Sequence, residues 1–375
     1  MKQKLHIVSL ENPYPANYGG VIGIFNRIRA LHESGIEIHL HVFYYDREPM
    51  RELELYCHKV YYYKRDMRKT LMFSSYPFIV VSRSSKKLLD QLIKTEAPVL
   101  FEGLHVCFYL NHPALKNRIR LVRMHNVEHD YYYHLSQAEK NPIKKWYLKR
   151  ESEKLKKFEP ILQQCTRILS VSEADQGYFS EKYSNAELMP VFIDETKFVY
   201  RAEQNPAIIY HGNLSVSENE LAAVWLIENV FSKIAHSCII AGKNPSQKLI
   251  QKIKKYKHIE LLANPSEILL NEKIQTSAVC VLPTFQATGI KLKLLDSFMQ
   301  GKHVIVNATM LSGTGLTDFC KVAETPEQFI HEIEQNIKSV FSLEDFESRK
   351  KYMLNYFNNQ RSVHRIIELI KGAVD

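Results

Sequence analysis

One continuous run of the sequence, from Ala278 to Val306, places the strongest constraint on the fold. Its first five residues are apolar and end at Pro283, as a buried strand would. Apolar residues then recur at helical spacing from Ile290 to Phe298. Gly301 follows as a predicted helix C-cap, and a second apolar stretch closes the run. The order strand, glycine-containing turn, helix and strand predicts a parallel α/β unit.

The turn inside this run predicts a site for a phosphate group. Thr288 and Gly289 precede the predicted helix, and Lys291 and Lys293 are predicted in its first turn. The exposed amides and the positive dipole end of a helix N-terminus attract anions. Two lysines are unfavourable there unless an anion is bound, which indicates a phosphorylated ligand. Asp296, about two turns into the helix, is placed to accept hydrogen bonds from ribose hydroxyls.

Strands alternate with helices along the rest of the chain, which predicts parallel sheets of the doubly wound α/β class. A length of 375 residues suggests two domains. The stretch from Met189 to Pro206 has little helical pattern and predicts a linker, and an amphipathic segment from about Leu343 to Ala373 predicts a final helix. The predicted strands are Lys4–Leu10, Glu37–Tyr44, Val99–Phe101, Arg120–Met124, Arg167–Val171, Ala207–Tyr210, Cys238–Ala241, Ile259–Leu262, Ala278–Leu282, His303–Val306 and Cys320–Ala323.

Composition and charge narrow the class of protein. No apolar run approaches the length that spans a bilayer, and Met1 leads almost directly into the first predicted strand. The six cysteines are far apart and form no C-x-x-C pair, so we expect a cytoplasmic protein with reduced thiols. The net charge of +9 fits an anionic partner such as a nucleotide, a nucleic acid or a membrane. Because no zinc-finger, RRM or helix-turn-helix signature occurs, nucleic acid is the least expected of the three.

The segment from Leu295 to Ile305 reads L-D-S-F-M-Q-G-K-H-V-I and resembles the donor-binding segment of retaining GT-B glycosyltransferases of the family 4 type. Asp296 stands in place of that family's second acidic residue, whereas Thr288 stands where the first is usual. Weaker resemblances extend over nearly the whole chain. They are Pro15–Gly20 followed by Arg27, His125 at a strand end, Ser170–Asp175, Met189–Asp194, Tyr210–Ser215 and Ala241–Pro245.

The resemblance implies a GT-B fold, in which two Rossmann-like domains with parallel sheets face each other across a cleft. It implies an acceptor-side domain at residues 1–190, a linker at 191–206 and a nucleotide-sugar-binding domain at 207–349. It further implies that a C-terminal helix at about 350–375 packs back on the first domain.

The implied activity is the transfer of a hexose-type sugar from a nucleotide diphosphate sugar to a glycan or lipid-linked acceptor. The resemblance implies retention of configuration, no metal ion and no other cofactor, in cell-surface polysaccharide or glycoconjugate synthesis. No D-x-D motif accompanies a suitable strand. In such an enzyme the departing diphosphate assists attack on the same face of the sugar, so the protein supplies position and charge stabilisation rather than a nucleophile.

The site residues are carried over from the resemblance. The expected catalytic residues are His125 and Glu102, with His105 and Glu128 as further candidates. This chain departs from the family at Asn213 and Glu218, where relatives commonly carry the arginine and lysine that hold the diphosphate, and we expect Lys291 to supply the missing charge. The expected donor-binding residues are Gly19, Gly20, Gly212, Asn213, Lys243, Thr288, Gly289, Ile290, Lys291 and Asp296.

Two alternatives remain open at the level of sequence. Residues His125 to His129 read H-N-V-E-H, the inverted zincin motif, so a zinc hydrolase using His125, Glu128 and His129 is one alternative. That motif requires a helix, whereas an extended apolar-rich run precedes His125. The second alternative is a nucleotide-sugar epimerase or a non-catalytic binder on the GT-B fold.

The segment from Lys140 to Lys157 is basic and helical, with aromatic and leucine side chains between the charges. Such a helix is typical of contact with an anionic membrane surface, which would suit a lipid-linked acceptor. Interspersed glutamates are equally typical of a solvated helix face. The sequence leaves both interpretations open.

Overall fold

The computed structural model describes residues 3–16, 19–286 and 289–372. The chain divides into two compact units. The first unit contains Met1–Ile193 and Phe357–Asp375, and the second contains Asp194–Tyr356.

A seven-stranded parallel sheet forms the first unit, with the strand order β3-β2-β1-β4-β5-β6-β7. The order reverses between β1 and β4, and in open α/β sheets ligands bind beyond the carboxyl ends of the strands at this switch point. The strands are β1 (Lys4–Ser9), β2 (Glu37–Tyr44), β3 (Lys59–Lys64), β4 (Val99–Glu102), β5 (Arg120–Met124), β6 (Arg167–Ser170) and β7 (Ala186–Leu188).

A six-stranded parallel sheet forms the second unit, with the order β10-β9-β8-β11-β12-β13. Its switch point lies between β8 and β11. The strands are β8 (Asn205–Asn213), β9 (Ser237–Lys243), β10 (Ile259–Ala263), β11 (Ser277–Leu282), β12 (His303–Val306) and β13 (Lys321–Val322). The doubly wound α/β class predicted from the alternation of strands and helices is thus confirmed.

Helices lie between the strands of both sheets, and others follow the last strand. They are α1 (Gly19–Glu33), α2 (Phe78–Val81), α3 (Lys86–Lys94), α4 (Glu128–Ala138), α5 (Pro142–Phe158), α6 (Glu173–Lys182), α7 (Ser217–Asn229), α8 (Gln247–Ile253), α9 (Glu267–Thr276), α10 (Leu292–Gln300), α11 (Ala308–Leu311), α12 (Pro326–Asn336), α13 (Leu343–Tyr356) and α14 (Asn359–Ile370). Among the described residues, no helix combines the length and the apolar character that crossing a membrane requires.

Both faces of the first sheet are buried, which explains why its central strands are apolar nearly throughout. Along β1, Leu5 and Ile7 join one hydrophobic cluster, while Val8 points to the other. Helix α14 belongs to this unit, and its Val363 and Ile366 lie in the same cluster as Leu5.

Asn359, the first residue of α14, fixes the end of the first unit's main segment. Its side chain accepts a hydrogen bond from the Ile193 amide at 3.1 Å and donates one to the Ile193 carbonyl at 2.8 Å. Such paired bonds satisfy backbone groups that would otherwise lack partners where the chain leaves the unit.

Several element predictions need correction. Strands β3 and β7 were not predicted, and the strand expected at Cys320–Ala323 covers only Lys321–Val322. The single helix expected from Leu343 to Ala373 is two helices, α13 and α14, because Asn358 caps a new helix by accepting a hydrogen bond from the Arg361 amide at 2.8 Å. A side-chain cap of this kind starts a helix even inside a continuous amphipathic pattern.

Gly301 ends α10 as predicted, but for another reason than a left-handed conformation. Its φ is −84°, a value that any residue adopts. A Cβ at this position would lie 2.7 Å from the Ser297 carbonyl oxygen and 2.9 Å from Cys280 Sγ. The glycine is therefore required by close packing of the helix end against β11.

Candidate active site

A buried ion pair lies at the switch point of the first sheet. Arg27 projects from α1 and donates from Nε to Glu102 Oε1 at 2.9 Å, while its Nη2 contacts the same oxygen. Burial by itself would raise the pKa of Glu102, but the Arg27 guanidinium and His125 outweigh it and lower this pKa to about 2. Glu102 is therefore a carboxylate at neutral pH.

His125 directly follows β5 and faces the same carboxylate. Its Nε2 lies 3.2 Å from Glu102 Oε2, and 24% of its side chain is exposed. Burial and the nearby Arg27 and Arg123 lower the pKa of His125, although Glu102 opposes the shift. The structure therefore brings the two residues predicted as catalytic together as a carboxylate beside a neutral, partly accessible imidazole.

Gly103 brings a second histidine to this place. Its φ of +86° is in the left-handed region that favours glycine. A Cβ on Gly103 would lie 3.1 Å from His105 Nδ1 and 3.3 Å from His125 Cδ2. The absence of a side chain at this position therefore lets both imidazoles approach the end of β4.

Glu128 begins α4 and is buried. Its Oε1 lies 3.8 Å from His105 Nδ1. Burial raises the pKa of Glu128 to about 8, against the hydrogen bond from Asn126 and the positive charge of Arg83. Glu128 is therefore mainly a neutral carboxylic acid at pH 7.

The residues of the zincin-like motif do not converge on a common point. Because α4 starts at Glu128, His125 precedes the helix instead of lying on it. His125 faces Glu102, whereas His129 has its Nε2 2.7 Å from the Tyr178 hydroxyl. The geometry of an inverted zincin helix is therefore not present in this segment.

Elsewhere, one group within the described ranges has spacing suited to a metal ion, namely Glu37, His39 and His58. The Lys4 ammonium lies 3.5 Å from the Glu37 oxygen that both histidines approach. This ammonium group would compete with a metal ion for the Glu37 carboxylate.

The predicted donor-binding glycines of the first unit open helix α1. Gly19 and Gly20 are its first two residues and are exposed. The first amides of a helix have no partner inside it, and no acidic residue occupies the first turn of α1. The first turn of α1 therefore carries no negative side chain that would repel an anion.

In the second unit, two glycines lie side by side where β8 and β9 end. A Cβ on Gly242 would lie 2.0 Å from the Gly212 carbonyl oxygen, so no side chain fits there. The next residues in register are Asn213 and Lys243, both predicted donor ligands. Asn213 Oδ1 accepts hydrogen bonds from the Ser215 amide at 3.1 Å and hydroxyl at 2.8 Å, which shapes the turn before α7.

Lys291 pairs with the residue whose charge it was expected to replace. Its Nζ lies 3.0 Å from Glu218 Oε1, with both side chains mostly buried. The Thr284 hydroxyl, at the end of β11, donates to the same carboxylate. Helix α10 begins at Leu292, so Lys291 is its N-cap residue and not, as predicted, a residue of the first turn. Its side chain makes no capping bond, and its carbonyl accepts a hydrogen bond from the Leu294 amide at 2.8 Å.

Lys293 is a member of this cluster that was not included among the expected ligands. Its Nζ donates to Asn219 Oδ1 at 2.8 Å and lies 5.0 Å from the centre of the Tyr210 ring. Burial lowers the pKa of Lys293 to about 8, although Glu218 opposes the shift. Its position two residues after Lys291 at a helix start was the available sequence signal.

The carboxylate of Asp296 is paired with a cation and is not free. Lys197 Nζ, from the short 3-10 helix Glu195–Lys197, lies 3.0 Å from Asp296 Oδ1. Burial raises the pKa of Asp296, although Lys197 opposes the shift. His211 lies nearby on β8, where burial and the two lysines Lys293 and Lys197 lower its pKa to about 3.

The remaining expected ligands lie in the turn before α10. Gly289 has a φ of +64°, in the left-handed region. Ile290 is half-buried. Thr288 lies outside the described residues. The structure thus assembles Glu218, Lys291 and Lys293 around the N-terminus of α10, at the switch point of the second sheet.

Two Rossmann-like units with parallel sheets of seven and six strands have the architecture of the GT-B fold. Residues 205–339 match the model of the family described as glycosyl transferases group 1. The match lies within the second unit, so this unit is similar to that family, and the fold of the chain is of the GT-B type.

Solved structures with the same fold cover almost the entire chain. A crystal structure of Anabaena HepE in complex with UDP and glucose is 11% identical, with a TM-score of 0.68 over 99% of this chain and 100% of that one. A TarM mutant from S. aureus, in complex with Fondaparinux, alpha-GlcNAc-glycerol and UDP, is 9% identical, with a TM-score of 0.67 over 98% and 99%. At these identities the likeness concerns the fold.

A sequence relative comes from Klebsiella pneumoniae. It is 28% identical over 330 residues, which cover 83% of this chain and 84% of the relative. It is described as an uncharacterized 44.6 kDa protein in the cps region.

Proposed function

We propose that the protein transfers a hexose-type sugar from a nucleotide diphosphate sugar to a glycan or lipid-linked acceptor, with retention and without a metal ion or other cofactor. The observation that carries the proposal is the cluster at the start of α10. Two lysine ammonium groups and the N-terminus of α10 meet there at the switch point of the second sheet. This is the chemistry that holds a diphosphate.

The charges of the second unit support stabilisation of a leaving diphosphate. Lys291 and Lys293 supply two cations, and Glu218 offsets one of them. A fixed cluster of donors that faces the developing charge lowers the barrier without reorganisation during the reaction. The solved relatives that hold UDP, HepE and TarM, support a nucleotide diphosphate as the bound group.

The first unit supports a role for His125 in contact with the transferred sugar. Glu102 lies beside the Nε2 edge of the imidazole, and Arg27 donates a hydrogen bond to Glu102. A neutral imidazole both donates and accepts hydrogen bonds, so it suits a sugar hydroxyl. We assign no nucleophile, because the proposed retaining reaction uses the departing diphosphate to assist the acceptor hydroxyl.

The proposed pathway is the synthesis of cell-surface polysaccharide or another glycoconjugate. The relative in the cps region of Klebsiella pneumoniae supports it. A cytoplasmic location is supported by cysteines that form no disulfide and, Cys320 excepted, are buried.

We further propose that α5 contacts the anionic inner face of a membrane. Ile143 and Trp146 are 78% and 60% exposed on this helix. Exposed lysines, Lys144, Lys145 and Lys149, surround them. Exposed apolar groups among basic side chains favour the interface of an anionic leaflet.

The test is a thermal-shift screen of UDP, GDP and ADP sugars, followed by transfer assays with the sugar that binds. A ligand that binds only the folded state raises the melting temperature. We expect one nucleotide diphosphate sugar to do so and the nucleoside monophosphate to do so less. If no nucleotide sugar raises the melting temperature or is consumed, the proposal fails.

His125 separates this proposal from the zinc hydrolase alternative. We expect activity to survive a chelator, and His125→Ala to lower turnover with little change in nucleotide affinity. Stoichiometric zinc by elemental analysis, lost in the same variant, would contradict the proposal.

A further inference from the structure

Four buried polar atoms that make no well-aligned hydrogen bond lie together at the carboxyl ends of β4 and β5. They are Glu102 Oε2, His105 Nδ1, His125 Nε2 and Glu128 Oε1. Leaving a buried polar atom unpaired destabilises the fold, so folded proteins leave few such atoms. A group of such atoms therefore indicates a place where another molecule supplies the missing partners.

The four atoms form two facing pairs of different character. Glu102 Oε2 and His125 Nε2 are 3.2 Å apart, and Glu102 carries the negative charge that pairs with Arg27. His105 and Glu128 are 3.8 Å apart, too far for a direct hydrogen bond. An oxygen atom about 2.8 Å from each of them would bridge this gap with two normal hydrogen bonds.

We propose that His105 and Glu128 together bind one hydroxyl group of a sugar substrate. The hydroxyl accepts a hydrogen bond from one side chain and donates its own to the other. This inference rests on the proposed glycosyl transfer and adds two residues to its substrate site.

The protonation of both groups supports a neutral ligand. Burial raises the pKa of Glu128 to about 8, which keeps it a carboxylic acid that donates. Burial, with Arg83 and His125 nearby, lowers the pKa of His105 well below its ordinary value, which keeps it neutral. Two uncharged groups suit a hydroxyl better than a phosphate, because a phosphate needs cationic donors.

The experiment uses the full chain with its histidines labelled with ¹⁵N. The imidazole signals of His105, assigned with His105→Gln, are followed by NMR during separate titrations with UDP, UDP-glucose and the methyl glycosides of glucose, galactose and N-acetylglucosamine. We expect at least one sugar-bearing probe to shift the His105 signals and UDP alone to leave them in place. A response to UDP-glucose only assigns the hydroxyl to the donor sugar, whereas a response to a methyl glycoside assigns it to the acceptor.

Two variants separate hydrogen bonding from charge. Glu128→Gln keeps a donor and an acceptor without charge, so we expect sugar affinity within about twofold of the original. Glu128→Met keeps a similar length without polar atoms, so we expect affinity to fall about threefold to tenfold. The melting temperature of Glu128→Met should equal or exceed that of the original protein, because an unpaired buried carboxyl is removed.

If Glu128 had only a structural role, the two measurements on Glu128→Met would change in the opposite way. Sugar affinity would be unchanged in Glu128→Met, and the melting temperature would be lower. That pattern, or His105 signals that respond to none of the sugar probes while UDP still binds, overturns the inference. Failure of UDP and every nucleotide sugar to bind contradicts the proposed function instead. Should Glu128→Met not fold, a His105→Leu variant carries the test, because it removes the other hydrogen-bonding group and must lose the same sugar affinity.

Discussion

The pair formed by Glu218 and Lys291 leads to a prediction that runs against simple intuition about charged ligands. Removing the negative charge in Glu218→Gln should strengthen the binding of UDP. In the original protein Lys291 forms an ion pair with Glu218, with 3.0 Å between Nζ and Oε1. The amide of the variant still accepts the hydrogen bond from the Thr284 hydroxyl but no longer competes with a phosphate for the ammonium group.

The size of the effect follows from the distance. Unit charges about 3 Å apart attract by about 5 kcal/mol at an effective dielectric constant of about 20. Since water and the diphosphate replace much of that attraction, the net value of a hydrogen bond to a charged group, about 1.5–3 kcal/mol, is the better guide. At about 1.4 kcal/mol for each factor of ten, UDP should bind roughly tenfold to a hundredfold more tightly.

Isothermal titration calorimetry with UDP measures this change, and Glu220→Gln is the matched control. Glu220 lies in the same first turn of α7, but its carboxylate accepts a hydrogen bond from the Ser246 hydroxyl. Lys291→Ala should weaken UDP binding, and in that background Glu218→Gln should have a smaller effect, because the two residues are coupled.

The reasoning is refuted by either of two outcomes. One is a correctly folded Glu218→Gln variant that binds UDP no more tightly than the original protein. The other is an equal gain from Glu220→Gln, which would show only the loss of a negative charge from the protein.

Two further predictions concern the same unit. Asp296→Asn should weaken donor binding about tenfold, as expected for a lost charged hydrogen bond. It should also lower the melting temperature, because Lys197 loses its closest anion. Lys197→Met in that background should restore the melting temperature but not the affinity, and calorimetry with thermal unfolding measures both. Lys293 has a pKa of about 8 in the folded protein against an ordinary value of 10.5, so it should lose its charge as the pH rises through 8, and UDP affinity should fall there. The contribution of Lys293 to the free energy of unfolding should rise between pH 8 and 10.5, because the unfolded chain still holds the proton in that range. Lys293→Met should abolish both pH dependences, and a pH profile of affinity unchanged by this substitution contradicts the assignment.

The α/β class and most strands follow from local patterns in the sequence. Apolar runs and helical spacing depend only on neighbours along the chain, so β11, α10 and β12 were predicted almost at their observed limits. Strand β3 escaped this reasoning because its tyrosines do not mark a buried strand in sequence. In the structure, the Tyr63 hydroxyl lies 2.8 Å from His41 Nδ1, a partner supplied by β2.

The chemistry of the site depended instead on contacts between distant residues. Arg27 and Glu102 are 75 positions apart, and Lys291 and Glu218 are 73 apart. No spacing rule connects such residues, because the strand order of each sheet decides which strand ends are adjacent. The sequence therefore predicted Lys291 at a phosphate site without showing the carboxylate that pairs with it.

By itself the sequence determined the alternation of strands and helices, the glycine turn before α10 and the presence of lysines at that helix start. Only the tertiary structure decided which of these groups are paired, buried or left without a partner. Periodicity and turn chemistry act over a few residues, and so they can be read along the chain. Charge state and hydrogen bonding depend on burial and on neighbours in space, which is why the neutral Glu128 opposite His105 appeared only in the fold.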